Sequence, residues 1–152
     1  MTQAIPCGYH TVTPYLVLAD ADAAIAFYAA ALGAEEIYRL AMPDGSLAHV
    51  ELQIGDSRLM AASANPAWGA RSARDFGGSP IGLCIYTHDV DALAARFVAA
   101  GGAVKRPLAD QFYGDRSGQF ADPEGYIWTL AQHIEDVSPE EMARRMAQMP
   151  MG

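Results

Sequence analysis

The sequence predicts an α+β fold built from two βαβββ units, and three observations carry that prediction. A fifteen-residue segment at 20–34 returns at 89–103, an offset of 89 − 20 = 69, with eight of fifteen positions identical. A β-branched or aromatic run precedes each copy, and short runs broken by turn residues follow each one. One strand, one helix and several strands, done twice, are the signature of a duplicated supersecondary unit.

Both repeated segments are rich in alanine, which favours helix. Each opens on an aspartate, Asp20 or Asp89, that can cap the first turn, and each closes on glycine. Residues 11–18 and 81–87 are the strands that lead into them. After the first helix, 35–42 reads as a strand ending at the turn Pro43-Asp44-Gly45. Strand 47–54 ends at Gly55-Asp56, and 58–62 completes the unit. After the second helix come strands 103–108, 116–121 and 126–133, the last entered through Asp122-Pro123-Glu124-Gly125. The chain therefore divides into one domain at 9–137 and a tail at 138–152. Within the domain lie module one (11–62), a lid-like linker (63–80) and module two (81–133). The linker carries Trp68 and Phe76, aromatics suited to covering a ligand or to pinning the loop on the core. In the tail, Ser138-Pro139-Glu140-Glu141 is a helix start, with Met142, Met146 and Met149 at helical spacing for packing on the body or on a second subunit.

Composition narrows the function. The 152 residues hold 10 Lys plus Arg against 18 Asp plus Glu, a net charge of −8, which disfavours nucleic acid as a partner. No apolar run approaches the ~20 residues of a membrane span, and the N-terminus lacks the features of a signal peptide, so a cytoplasmic location is expected. Cys7 and Cys84 show neither disulfide nor zinc spacing, and Cys84, inside an apolar run, is expected to be buried.

The Asp-rich helix start, Phe27-Tyr28, Leu32-Gly33 and Asp122-Pro123-Glu124-Gly125-Tyr126 before a last strand resemble the glyoxalase, bleomycin-resistance and extradiol-dioxygenase (vicinal oxygen chelate) superfamily. His10-Thr11-Val12-Thr13-Pro14-Tyr15, the stretch 110–116 and the stretch 135–141 resemble its PhnB-like branch. The resemblance implies two modules with curved sheets facing each other around a cup, commonly completed by pairing or swapping of units, so a homodimer is expected. It also implies a divalent metal held from the first and last strand of each module. Carried onto this chain, those slots fall on Thr13, near Ala62, on Gly82 and on Thr129. None supplies the imidazole or carboxylate that such a site needs, so no metal and no cofactor are expected.

Side chains alternate along a strand. With Thr13 and Thr129 toward the cup, Tyr15, Tyr86 and His133 share that face. In strand 47–54, Ala48, Val50, Leu52 and Ile54 form an apolar face, which turns His49 and Glu51 to the cup. A carboxylate beside an imidazole suits ligand binding, acid–base work or a polar pair that orders the strand. Tyr113 and Arg116 precede the seventh strand, where Arg116 either holds an anionic ligand group or pairs with Asp115. The candidate ligand-binding set is thus Thr13, Tyr15, His49, Glu51, Trp68, Tyr86, Tyr113, Arg116 and Thr129. The leading functional expectation is metal-independent binding of a small organic molecule, as in bleomycin-resistance or sequestering proteins. The alternative is a glyoxalase- or dioxygenase-type enzyme (lyase, isomerase or oxygenase) using His49 and Glu51 as acid–base pair or as unusual metal ligands.

Overall fold

The computed structural model describes residues 1–152. Strand β1 (Tyr15–Leu18), helix α1 (Ala21–Leu32) and strands β2 (Glu35–Ala41), β3 (Leu47–Ile54) and β4 (Ser57–Ser63) form the first module. Strand β5 (Gly82–Tyr86), helix α2 (Val90–Ala99) and strands β6 (Ala103–Asp110), β7 (Asp115–Ala121) and β8 (Ile127–His133) form the second. Helix α3 (Pro139–Ala147) follows. The sheets have the same order, β1-β4-β3-β2 and β5-β8-β7-β6, with the first strand of each running parallel to the last. This is the duplicated βαβββ arrangement expected from the repeat. Its register is also repeated: Val17 faces Ala62 and Tyr86 faces Ala131, both 69 positions on.

The caps form as the sequence indicates. The Asp20 carboxylate accepts from the Ala23 N–H at 3.2 Å, and the Asp89 carboxylate accepts from the Ala92 N–H at 3.0 Å. Gly33 ends α1 in the left-handed region at φ 66°, whereas α2 ends through Ala100 in a right-handed conformation before its glycines. Strand β1 is shorter than the 11–18 expected. It begins after Pro14, which has no N–H to give a sheet and only accepts, from the Met60 N–H at 3.0 Å.

The modules join through their helices and through one turn. Phe27 of α1 meets Phe97 of α2 edge-on, with centroids 5.0 Å apart, inside a single core containing Leu18, Tyr28, Val50, Leu52, Val90 and Leu130. The turn 122–126 then reaches across to the first module. Buried Asp122 accepts from the Tyr28 hydroxyl at 2.6 Å and from Trp128 Nε1 at 2.9 Å. Glu124, which the sequence offers as a plain turn residue, is 1% exposed and accepts from the Ala19 and Asp20 N–H groups at 2.7 and 2.9 Å. The Tyr126 hydroxyl accepts from the Val17 N–H at 3.1 Å and donates to the Val17 carbonyl at 2.9 Å, sealing the outer edge of β1. Three side chains of one turn therefore supply partners to polar groups that the module boundary removes from water.

Linker 63–80 contains two short 3₁₀ turns, Pro66–Trp68 and Ala73–Phe76. Trp68 is exposed, and exposed Phe76 lies under the Arg71 guanidinium at 4.5 Å. Helix α3 is tied down by Arg145, which donates to Glu135 at 2.7 Å and to the Phe112 carbonyl at 3.0 Å, while Met146 and Met149 stay exposed. No helix is long and apolar enough to cross a membrane.

Candidate functional site

Each sheet packs one face on the helices and turns the other away from them, and in the second sheet that other face is partly covered, with Asp115, Ser117 and Ala131 buried. In β3, Val50 and Leu52 are fully buried beneath α1, and His49 and Glu51 rise from the opposite face. The register places Tyr38 opposite Glu51, Leu40 opposite His49, and Met60 between Glu51 and Tyr15. The open face of the first sheet is thus Tyr15, Tyr38, Leu40, His49, Glu51 and Met60. Tyr15 meets the His49 ring at 5.6 Å and Tyr38 meets it at 6.4 Å.

A polar relay crosses this face. His49 Nε2 lies 3.3 Å from Glu51, and His49 Nδ1 lies 2.8 Å from the Tyr15 hydroxyl. A carboxylate only accepts, so Nε2 carries the proton, and in the neutral ring Nδ1 accepts from Tyr15. The Tyr9 hydroxyl beside Glu51, first of all, and then His49 hold the Glu51 carboxyl below the usual range against the opposing pull of partial burial. Tyr9 in turn is pushed up to about 12, by burial and then by Glu51.

The second sheet carries a longer network. Cys84 and Tyr86 of β5, Thr129, Ala131 and His133 of β8, and Asp115 and Ser117 of β7 share its open face by register. The Tyr86 hydroxyl donates to Asp115 at 2.7 Å. His133 donates from Nδ1 to Asp115 and from Nε2 to Asp136, each at 2.8 Å. The two carboxylates, Asp136 first, raise the pKa of this imidazole. The hydrogen bond to Asp115 is the main reason that Tyr86 is pushed up to about 12. Tyr113 lies 3.0 Å from the Ser117 hydroxyl, and Arg106 reaches the same hydroxyl at 3.4 Å.

Of the nine candidate residues, the structure gathers Tyr15, His49 and Glu51 on one open face and Tyr86, Tyr113 and Thr129 at the other. Thr13 precedes β1 outside the sheet, and Trp68 stands apart on the linker. Arg116 turns away from the cup. It pairs with Asp91 at 2.8 Å and Asp110 at 3.2 Å, not with Asp115, because it alternates to the helix side of β7. Cys84 is exposed rather than buried, since its strand is an edge and its side chain takes the open face. The sequence reasoning missed Asp115 as the centre of a network; its one signal was alternation from Ser117, which shares its face.

The register also corrects one metal slot. Tyr15 faces Met60 and Cys84 faces Thr129, so the first-module counterpart of Thr129 is Met60 and not Ala62. Thr13, Met60, Gly82 and Thr129 offer a thioether, two hydroxyls and no side chain. That set does not fit the nitrogen and carboxylate preference of a catalytic divalent ion. Elsewhere, no three His, Cys, Asp or Glu side chains converge where a metal ion could be held.

Two βαβββ modules, each with an open, aromatic and polar sheet face, define a paired-module protein of the cup-forming kind. The chain belongs to the Glyoxalase/Bleomycin resistance protein/Dioxygenase superfamily, whose family model matches residues 9–130. An uncharacterized protein of Mycobacterium tuberculosis is 37% identical over 139 residues, covering 90% of this chain and 82% of its own. Among solved structures, TioX from Micromonospora sp. ML1 is similar at TM-score 0.64 and 24% identity, with 82% of this chain and 99% of TioX covered. A fosfomycin resistance protein, FosX from Listeria monocytogenes, solved with Mn(II) and a dihydroxypropylphosphonic acid, is similar at TM-score 0.63 and 21% identity, with 90% and 97% covered. At these identities the solved structures share the fold with this chain.

Proposed function

We propose that the open sheet faces bind a small organic molecule without a metal in the superfamily's slots, in the manner of a bleomycin-resistance or sequestering protein. The observation that carries this reading is the donor set: Thr13, Met60, Gly82 and Thr129 replace the expected ligands, while Tyr15, Tyr38, His49 and Glu51 remain gathered on one face. Aromatic rings give such a ligand apolar area, and Glu51 gives it a charge-assisted hydrogen bond. Exposed Tyr15, Tyr38, Leu40 and Tyr86 favour completion of the cup by a second copy, hence a homodimer. The stretches 10–15, 110–116 and 135–141 support the PhnB-like branch, and the acidic composition supports a cytoplasmic role without nucleic acid. The test is a thermal-shift screen of EDTA-dialysed protein against divalent metals and small organic molecules. Organic compounds should raise the melting temperature with chelator present, and metals alone should not. Stabilisation by a divalent metal alone, at one equivalent per chain, would overturn the reading.

A second reading rests on the Tyr15–His49–Glu51 relay. That chain of contacts suits a metal-free acid–base enzyme in which His49 moves a proton at Nδ1 while Glu51 holds the ring. Turnover lost in His49→Gln with ligand affinity kept would favour catalysis over sequestration.

A further inference from the structure

The two modules repeat at 69 residues, but their contacts across the module boundary do not. On one side, Tyr126 bonds both outward backbone groups of Val17 in β1, and Glu124 bonds the N–H groups of Ala19 and Asp20. The repeat carries Val17 to Tyr86, Ala19 to His88 and Asp20 to Asp89. It carries Tyr126 back to Ser57 and Glu124 back to Gly55. The first module's turn is also one residue shorter: four residues separate the paired Gln53 and Arg58, and five separate the paired Ala121 and Ile127. A serine and a glycine therefore stand where the other side has a phenol and a carboxylate.

The space they leave is a cavity of about 550 Å³ along the free edge of β5. Leu32, Ile54 and Leu59 of the first module wall one side, and Leu83, Leu93 and Trp128 of the second wall the other. Strand β5 has β8 on one side only, and Thr87 bonds toward β8, so the alternate residue Tyr86 directs its N–H and C=O outward. No protein side chain bonds those groups. The Asp89 N–H finds only the Thr87 hydroxyl at 3.4 Å, where its counterpart Asp20 meets Glu124 at 2.9 Å.

The charges of this cavity run against those of the molecule. In a chain of net charge −8, Asp56 is its one carboxylate, while Arg58 and Arg96 both line it. Arg39, Arg74, Arg116, Arg144 and Arg145 each pair with a carboxylate, whereas Arg58 and Arg96, like Arg71 and Arg106 outside the cavity, form no ion pair. Arg58 lies over the Tyr9 ring at 5.4 Å, with its Nε buried and unpartnered. Arg96 occupies the position that the repeat gives to buried Phe27 in the first module. A guanidinium without a counterion beside apolar walls is suited to an organic anion.

We propose that this inter-module cavity, which meets the open sheet faces at Arg58, Cys84 and Tyr86 and extends from them to the helix side, is a second binding site for a small aromatic carboxylate. Its hydroxyl or ring polar group meets the free backbone edge at Tyr86, as Tyr126 meets Val17. Its carboxylate lies between Arg58 and Arg96, and its ring fills the apolar gap. The probe is para-hydroxybenzoate, titrated by calorimetry into the full chain. One equivalent per chain should bind. Ser57→Tyr, which rebuilds the missing plug, should abolish that binding and raise the melting temperature. Arg96→Gln, an exposed helix position, should weaken it about tenfold with an unchanged melting temperature, and Arg58→Gln should weaken it by a similar factor. Tyr38→Ala, on the open face of the first sheet, should leave it unchanged, which separates this site from the one proposed above. Absence of binding at millimolar probe, or equal affinity in wild type and Arg96→Gln, would overturn the proposal. A loss in Tyr38→Ala alone would assign the probe to the open face and overturn it equally.

Discussion

Asp122 shows how much one side chain does at the module boundary. Its carboxylate accepts hydrogen bonds from Tyr28, Trp128 and the N–H groups of Glu124 and Tyr126, all out of water. Hydrogen bonds to a charged group contribute about 1.5–3 kcal/mol each, and orphaned buried donors cost about 1–3 kcal/mol. Asp122→Ala should therefore lower stability by at least ~3 kcal/mol in urea unfolding, and Tyr28→Phe by roughly half as much. His133 gives the pH dependence. Its pKa is raised in the folded state by Asp136 and Asp115. Its stabilisation is thus fully present below the unfolded value of about 6.5 and lost as pH rises through the folded value. The wild-type melting temperature should fall between about pH 6 and about pH 8 more steeply than that of His133→Gln. Sequence alone showed that His49 and Glu51 share the strand face turned away from the core, because alternation is local. It did not show Glu124 or Asp122 as boundary residues, or Arg116 with Asp91, since those partners lie 25 to 105 positions away.

At the scale of elements, most of the fold was legible. The aspartate N-caps, the turns at 43–45 and 122–125, and the burial of Val50 and Leu52 opposite His49 and Glu51 are all short-range signals, and the structure bears them out. The shortened β1 and the exposed Cys84 were not legible, because edge position in a sheet is a property of topology. The caps give a matched test: Asp20→Ala and Asp89→Ala should each cost about 0.5–2 kcal/mol, with the two effects additive in the double variant. Gly114 tests the loop under α3. Its φ is 99°, and a Cβ there would run into the Glu135 carbonyl oxygen, which sits within bonding reach of the site. Gly114→Ala should lower the melting temperature and loosen α3, seen as faster amide exchange at 139–147.

For the whole molecule, the helices and one turn hold the modules together, and the sheet faces are left over. Strands β2, β5 and β6 are largely exposed, and Tyr15, Tyr38 and Tyr86 are each about half exposed or more. A second copy covering these faces should give a light-scattering mass of two 16.2 kDa chains at micromolar concentration. A single-chain mass at all concentrations would remove the homodimer. The most direct measurement of the central claim, ligand binding at the open faces without metal, is amide NMR of EDTA-dialysed protein titrated with the best compound of the thermal screen. The expected result is a set of shifts at 38–40, 49–51, 86, 115–117 and 129–133 with chelator present. Shifts confined to other residues, or appearing only after a divalent metal is added, would contradict it.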